Sequence, residues 1–464
     1  MRDLQNKINT SDWKEINIEY LDDYINLKVP PACETLQLIP TPPLENVKSK
    51  IEKAFDFPID SNTIEEIVQS QDKPINEVTV AIAVSDNTRP VPYNYEDDGN
   101  ILSPILSRLE RAGVTRENIK IIIGTGTHAP TSELWKKKTF GEKVFNNYQL
   151  IDHNCNSKDL ISIGEVMGVP VQIDSNFIQA DVHIVTGLVE SHFMAGASGG
   201  RKAVCPGMVN LETTQVFHGP EFMANKNAEN LIFKNNPCHE FALEVAKRVR
   251  VDFNVNVLIN GEHQVCGIYT GDLEQSHQKA VAQLKAFSLA EIDKEYDIVL
   301  THGGKGAVNH YQAIKGAWGA MAALKKDGHI ILLAHNQDEE PIGSQHYKDL
   351  MKEFTKVGLG NFYPLICSDK WVFTHDQWEV QKWEQFFMRI GGFNQLIYCT
   401  TNISPEVLAE LPGKSGYDFI ADSQKDIRTM LQNAIYDCFT KKKNPSMAFI
   451  KEGPYVVLRK STLA

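Results

Sequence analysis

The chain has 464 residues, 42% hydrophobic and 23% charged, a globular composition too long for one ordinary core, so two domains are expected. A formal net charge of −12 argues against nucleic acid or an anionic membrane as partner. No apolar run approaches bilayer length, Met1 to Tyr20 holds no secretory-type apolar core, and the eight cysteines are scattered without a CxxC pair, so a cytoplasmic protein with reduced thiols is expected.

Residues 1–75 read as a leading segment in which Pro30-Pro31 and Pro40 to Pro43 break any long element, with a helix over Leu44–Ala54. Val78–Val84 is a β-branched apolar run, expected as a strand covered on both faces, ending in Ser85-Asp-Asn-Thr-Arg-Pro90. Ile101–Ala112 has helical spacing, and Ile119–Ile123 is a second buried strand leading to Gly124-Thr-Gly-Thr-His-Ala-Pro130 and a helix over Pro130–Lys138. Val182–Thr186 is a third strand. After it comes Ser191-His-Phe-Met-Ala-Gly-Ala-Ser-Gly-Gly-Arg-Lys-Ala-Val-Cys-Pro-Gly207, which lacks regular periodicity. Its glycines suggest backbone held close to something bulky, and a Lys with two His (His192 and, further on, His218) are side chains able to tether or ligate a cofactor.

A helix near Glu240–Arg248 and a strand near Asn254–Ile259 close the first unit, and the polar helix Leu273–Ala290 is expected to connect domains. A second α/β unit restarts at Tyr296–Leu300. It continues through helix His310–Leu324, strand Gly328–Ala334, helix Asp376–Ile390, strand Gln395–Thr400, helix Asp422–Phe439 and strand Tyr455–Arg459. The fold class is therefore two α/β domains with largely parallel sheets, residues 1–275 and 276–464, and an active site in the cleft between them.

Polar groups fall on distant loops: Asp86 and Arg89, His128, the 191–218 segment, and Gln312 with Lys315. Arg and Lys suit a small anion, and histidines suit proton transfer at neutral pH. Gly124-x-Gly-x-x-Ala129 matches a relaxed dinucleotide fingerprint, but with His at 128 and no suitably spaced acidic partner. A pyridoxal Schiff base at Lys202 is chemically open, without a visible ring-nitrogen partner. His183 and His153 read as structural, Trp371 and Trp383 as packing, and Cys205 as a buried small thiol. Asp86 reads equally as a turn cap.

Taken together, Ser85–Pro90, Gly124–His128, Glu190–Phe193, Ser198–Lys202, Pro206-Gly207, His218, Tyr311–Lys315 and Asp376–Trp378 stand in an order and spacing that resemble the nickel-dependent lactate racemase family. The resemblance implies a nickel-pincer nucleotide covalently attached at Lys202 and loaded by cofactor-biosynthesis proteins. His218 would be a nickel ligand, and His128 and His192 an acid/base pair. Arg89 and Lys315 would anchor the carboxylate and hydroxyl of a 2-hydroxy acid, with Tyr311, Gln312 and Trp378 lining the substrate. Asp86, Ser198 and Gly199 would lie near the nucleotide. The implied activity is racemisation or epimerisation at C2 by reversible hydride transfer. The competing expectations are an NAD- or pyridoxal-dependent enzyme on a small anion, and a non-catalytic cofactor- or metal-binding homologue.

Overall fold

The computed structural model describes residues 8–421 and 426–461. The chain divides into two compact units, one spanning Pro40–Phe287 and the other joining the residues up to Ile39 with those from Ser288 onward.

The Pro40–Phe287 unit is built on a six-stranded sheet ordered Val265–Gly271, Phe253–Ile259, Val182–Leu188, Val80–Val84, Ile119–Ile123, Gln149–Asp152. All neighbours are parallel except the antiparallel Val265–Gly271 edge. Every residue of Val80–Val84 is buried, as a strand with both faces covered requires. From Val80–Val84 the chain steps outward to Ile119–Ile123 and Gln149–Asp152, then returns to the other side of Val80–Val84 as Val182–Leu188. The strand order thus reverses between Val80–Val84 and Val182–Leu188, and a crevice outside the carboxyl ends of such a pair is where α/β sheets bind ligands. Buried Tyr93 ties that point together. Its hydroxyl accepts Ser85 N–H at 2.9 Å and lies 2.7 Å from the Thr186 hydroxyl, which donates to Ala83 O.

The expected elements recur with small shifts: Leu102–Ala112, Glu133–Phe140, Pro237–Val249 and Leu273–Ser288 are helices. The helix expected from Pro130 starts at Glu133 because the Ser132 side chain caps Trp135 N–H. Leu273–Ser288 is not a connector. Its Ser276 and His277 are buried and bond Asn254 and Ser198 O, so the helix belongs to the first unit.

The second unit carries a fully parallel six-stranded sheet ordered Lys414–Ser415, Leu396–Cys399, Leu324–Leu333, Tyr296–His302, Met447–Ile450, Glu34–Leu36. The expected boundary at 275/276 is corrected at both ends, because the leading segment also belongs here. Lys14–Tyr20 and Asp23–Val29 form an antiparallel hairpin whose Ile16, Ile18, Leu27 and Val29 enter this core. Gln432 on helix Ile427–Lys441 then accepts Lys28 N–H and donates to Lys28 O. The first part of the helix expected from Asp422, residues 422–425, lies outside the described residues. Among those described, no helix is long and apolar enough to cross a membrane.

His153, read as structural, is a brace. Its Nδ1 lies 2.9 Å from Asp174 and its Nε2 donates to Val209 O at 3.0 Å, with the side chain fully buried. Burial works to raise the Asp174 pKa, yet the hydrogen bond and charge of His153, with Asn176 and Phe177 N–H groups, hold it below its ordinary value. A carboxylate depressed in the folded state contributes stability above its unfolded pKa, and that contribution fades as pH falls through the folded value. His153→Leu is expected to cost about 3–5 kcal/mol at neutral pH by leaving a buried carboxylate unpaired. Urea melts at pH 7 and in the acid range check this, the difference between variant and wild type shrinking in acid.

Candidate active site

Three loops meet at the carboxyl edge of the first unit's sheet. After Val80–Val84, Asp86 is 4% exposed and its carboxylate accepts Thr88 N–H (3.1 Å) and hydroxyl (2.6 Å). The other oxygen lies 2.6 Å from His128 Nδ1 on the loop after Ile119–Ile123. Burial pushes the Asp86 pKa up, but the charge and hydrogen bond of His128, with Thr88, bring it below the ordinary value. Asp86 therefore orients His128, and its bonding is filled by protein. The turn-cap reading was also right, since Thr88 is two residues on.

Arg89 donates Nε–H to Glu190 at 2.7 Å and Nη1–H to Thr88 O at 2.8 Å. This pair joins the loops after Val80–Val84 and Val182–Leu188. It leaves Nη2 and one Nη1 hydrogen for an incoming carboxylate, the end-on bidentate arrangement of a guanidinium. Glu190 entered the sequence reading only as part of the Glu190–Phe193 run, where nothing marks it as a partner to Arg89.

The 191–207 loop is held from within. The Ser198 hydroxyl donates to Leu188 O (2.7 Å) and accepts Glu190 N–H, and Gly200 N–H bonds Asn256. Gly199 sits at φ 75°, where a Cβ would come within 2.7 Å of Val189 and 2.9 Å of Asn256. A Cβ on Gly207 would lie 2.3 Å from Ala203 O. The bulky neighbours that demand glycine are thus the protein's own atoms, and Ser198 and Gly199 shape the loop. Gly126 N–H bonds Gly207 O at 3.0 Å, which docks the His128 loop on the lysine segment. That docking, with the helix delayed to Glu133, removes the short strand-to-helix turn a dinucleotide fingerprint needs.

Arg201 is buried, donating to Ala195 O (2.7 Å) and contacting His277 (2.9 Å). Lys202 is partly exposed, with Nζ 4.8 Å from the Phe217 ring centre, and His218 stands edge-on to the same ring at 4.6 Å. His218 caps helix Leu211–Phe217. Burial, then the charges of Arg89 and Arg201, lowers the Lys202 pKa to about 7. An amine so placed is a nucleophile at neutral pH, unlike ordinary lysines near 10.4. Acylation of Lys202 by a small amine-reactive ester, followed by peptide mass spectrometry, should reach half its maximal rate near pH 7.

His192 is 8% exposed and takes Met194 and Ala195 N–H on Nδ1. Cys205 is fully buried, burial raising its thiol pKa, in keeping with a packing role.

The remaining candidates belong to the other unit. Tyr311, Gln312 and Lys315 lie on helix His310–Ala320, and the Tyr311 hydroxyl accepts Trp378 Nε1–H at 2.8 Å from helix Gln377–Ile390. Buried Glu379, a residue the sequence reading missed, is pushed up to about 8 by burial against the opposing charge of Lys315.

Residues 20–230 match the family model of the lactate racemase N-terminal domain, and residues 292–452 that of the lactate racemase C-terminal domain. The chain belongs to the lactate racemase family. It is accordingly an isomerase. Lactate racemase of Lactiplantibacillus plantarum is 29% identical over 369 residues, 78% of this chain and 81% of the relative. That of Thermoanaerobacterium thermosaccharolyticum is 29% identical over 344 residues, 71% and 75% respectively. The lactate racemase apoprotein of the latter organism superposes with a TM-score of 0.81 at 24% identity, covering 96% of this chain and all of that one. A Thermotoga maritima protein gives 0.64 at 15% identity, covering 91% of this chain and all of that one. The first of these likenesses establishes the lactate racemase fold.

Proposed function

We propose that this lactate racemase family member inverts C2 of a 2-hydroxy carboxylate by reversible hydride transfer, with a nickel-pincer nucleotide attached at Lys202. The observation that carries the reading is the placement of Lys202: its amine is set against Phe217, with His218 at the edge of the same ring.

The residues fit the group. Among the described residues, no cluster of three or more His, Cys, Asp or Glu could hold a metal ion. His218 would supply an imidazole to a nickel ion held by such a group. When bound, such a group would supply a hydride acceptor for the α-hydrogen, chemistry that side chains alone do not supply.

The chain's own residues do the rest. Arg89 grips the substrate carboxylate by its Nη edge while Glu190 holds its Nε edge. Asp86 keeps hydrogen on His128 Nδ1, leaving Nε2 to take the hydroxyl proton. His192 serves the substrate oxygen on the opposite face. Lys315, Gln312, Tyr311 and Trp378 are assigned to the substrate by the family resemblance alone. Buried Phe193 and Met194 keep water from the loop that carries His192.

The test is chiral chromatography of single-enantiomer 2-hydroxy acids, lactate first, after incubation with protein co-produced with a nickel-pincer pathway. Inversion of at least one acid is expected. Dependence on added NAD, or a Schiff-base absorbance, would favour the rival cofactor readings. Loading without any inversion would favour a cofactor carrier.

A further inference from the structure

The two proton-handling histidines are not set alike. His128 presents Nδ1 to the Asp86 carboxylate at 2.6 Å. A carboxylate only accepts, so Nδ1 carries the hydrogen and Nε2 of the neutral ring holds the lone pair. His192 presents Nδ1 to the backbone N–H groups of Met194 at 3.2 Å and Ala195 at 3.3 Å. Backbone amides only donate, so here Nδ1 holds the lone pair and Nε2 carries the hydrogen.

Both arrangements are built into the fold. Asp86 is buried and locked by Thr88. The turn under His192 is closed by the pairing of Ser191 with Ala197 and of His192 with Gly196. Asn236 donates at 2.9 Å to Met194 O, the carbonyl of the peptide that carries Ala195 N–H, and Arg201 donates at 2.7 Å to Ala195 O, the carbonyl of the next peptide, so the turn is held from its far side. Gly196 lies at φ 82°, where a Cβ would meet Ile232 O at 2.6 Å.

We infer that the resting protein holds the two rings in opposite tautomers, and that His192 exchanges a proton only when the Met194–Ala195 turn releases its Nδ1. The inference rests on the racemase reading above. A proton leaving the substrate hydroxyl, whose electron pair stays on oxygen, goes directly to Nε2 of His128. The resting His192 can donate a hydrogen bond from Nε2 to substrate oxygen, but it has no lone pair there to accept a proton. To give up its Nε2 proton without becoming imidazolate, it needs a second proton at Nδ1, which faces two N–H donors. Transfer in either direction at His192 therefore opens the turn. The Met194 and Ala195 amides, with Asn236 and Arg201 behind them, are positioning groups.

Nitrogen-15 NMR of the imidazole rings tests this on the unloaded full-length protein near pH 8. His128 should show a pyrrole-type Nδ1 and pyridine-type Nε2, and His192 the reverse. In Asp86→Asn the His128 pattern should shift toward the Nε2–H form while His192 stays unchanged. In His192→Ala the Met194 and Ala195 amides should exchange with solvent about tenfold faster, the loss of one ordinary hydrogen bond. A pyrrole-type Nδ1 on His192 in the wild type would overturn the inference, even if neither variant folds. Identical tautomers in a protein that inverts its substrate would sink this inference alone. Opposite tautomers in a loaded protein that inverts nothing would count against the racemase reading alone.

Discussion

Lys202→Ala is expected to lose the whole mass increment that the wild type gains when produced with a nickel-pincer pathway, and to retain no measurable inversion of any 2-hydroxy acid. The amine is the attachment point in this account. Without a covalent link the reacting group is no longer held beside Arg89 and His128, and such positioning supplies up to about 7–11 kcal/mol of a barrier. The fold should survive. The Lys202 amine lies against Phe217 with its pKa lowered by burial, so removing it relieves desolvation. An unchanged or slightly raised thermal midpoint in Lys202→Ala separates loss of the tether from loss of structure. A variant that still gains the increment would move the attachment elsewhere.

Asp86→Asn comes second. Asparagine has nearly the shape of aspartate, but its amide can donate to His128 Nδ1 and so drive the hydrogen onto Nε2. The base then becomes a donor pointing at the hydroxyl it should deprotonate. The same exchange behind a catalytic histidine in serine proteases costs about 10⁴-fold in kcat through the wrong tautomer, and a loss of about 10³–10⁴-fold is expected here. KM should move little, because Arg89 keeps its contacts to Glu190 and Thr88. Since the equilibrium constant of a racemisation is one, kcat/KM must fall equally for both enantiomers, which checks the measurement internally. A loss below tenfold would mean that Asp86 does not set the His128 tautomer.

The sheet was legible where the signal was local. Ile119–Ile123 and Val182 onward read as buried strands because continuous β-branched runs have few alternatives, and loops after such strands are where chemistry collects. Trp383, read as packing, is fully buried and stacks on His310 at 4.8 Å. What the sequence hid was long-range. Before Leu44 the leading segment offered no strand to the reading, because Pro30-Pro31 and the prolines at 40 to 43 break any long element. Yet Glu34–Leu36 gains its strand only by pairing with Met447–Ile450, far along the chain. Helix Leu273–Ser288 looked like a polar connector because its buried apolar residues, Leu273, Ala280, Val281, Leu284 and Phe287, are interleaved with polar ones, of which Ser276 and His277 are themselves buried and bond Asn254 and Ser198 O.

At the site, residue types were legible and their partners were not. Asp86 was expected near the nucleotide, and its hold on His128 went unread, because a sequence cannot show which partner a carboxylate meets. The glycines were read as backbone held close to something bulky. A glycine forced by Val189 or by Ala203 O looks the same in sequence as one that clears a cofactor. The partners of Glu190 and Glu379 stayed invisible because charged residues are ordinarily solvated, and only the fold buries these beside Arg89 and Lys315.

Inversion by hydride transfer is open to one direct measurement. The loaded protein is incubated with a single enantiomer of lactate in deuterated water, beside the Lactiplantibacillus plantarum lactate racemase as positive control, and the product is resolved by chiral chromatography and mass spectrometry. The account predicts that the opposite enantiomer forms with its original hydrogen at C2, because the hydrogen that leaves as hydride returns without mixing with solvent. Should lactate prove not to be the substrate, the same experiment applies to whichever 2-hydroxy acid the chiral screen identifies. Deuterium at C2 of the inverted product would contradict it, showing removal of a proton and a carbanion-type mechanism at the same residues.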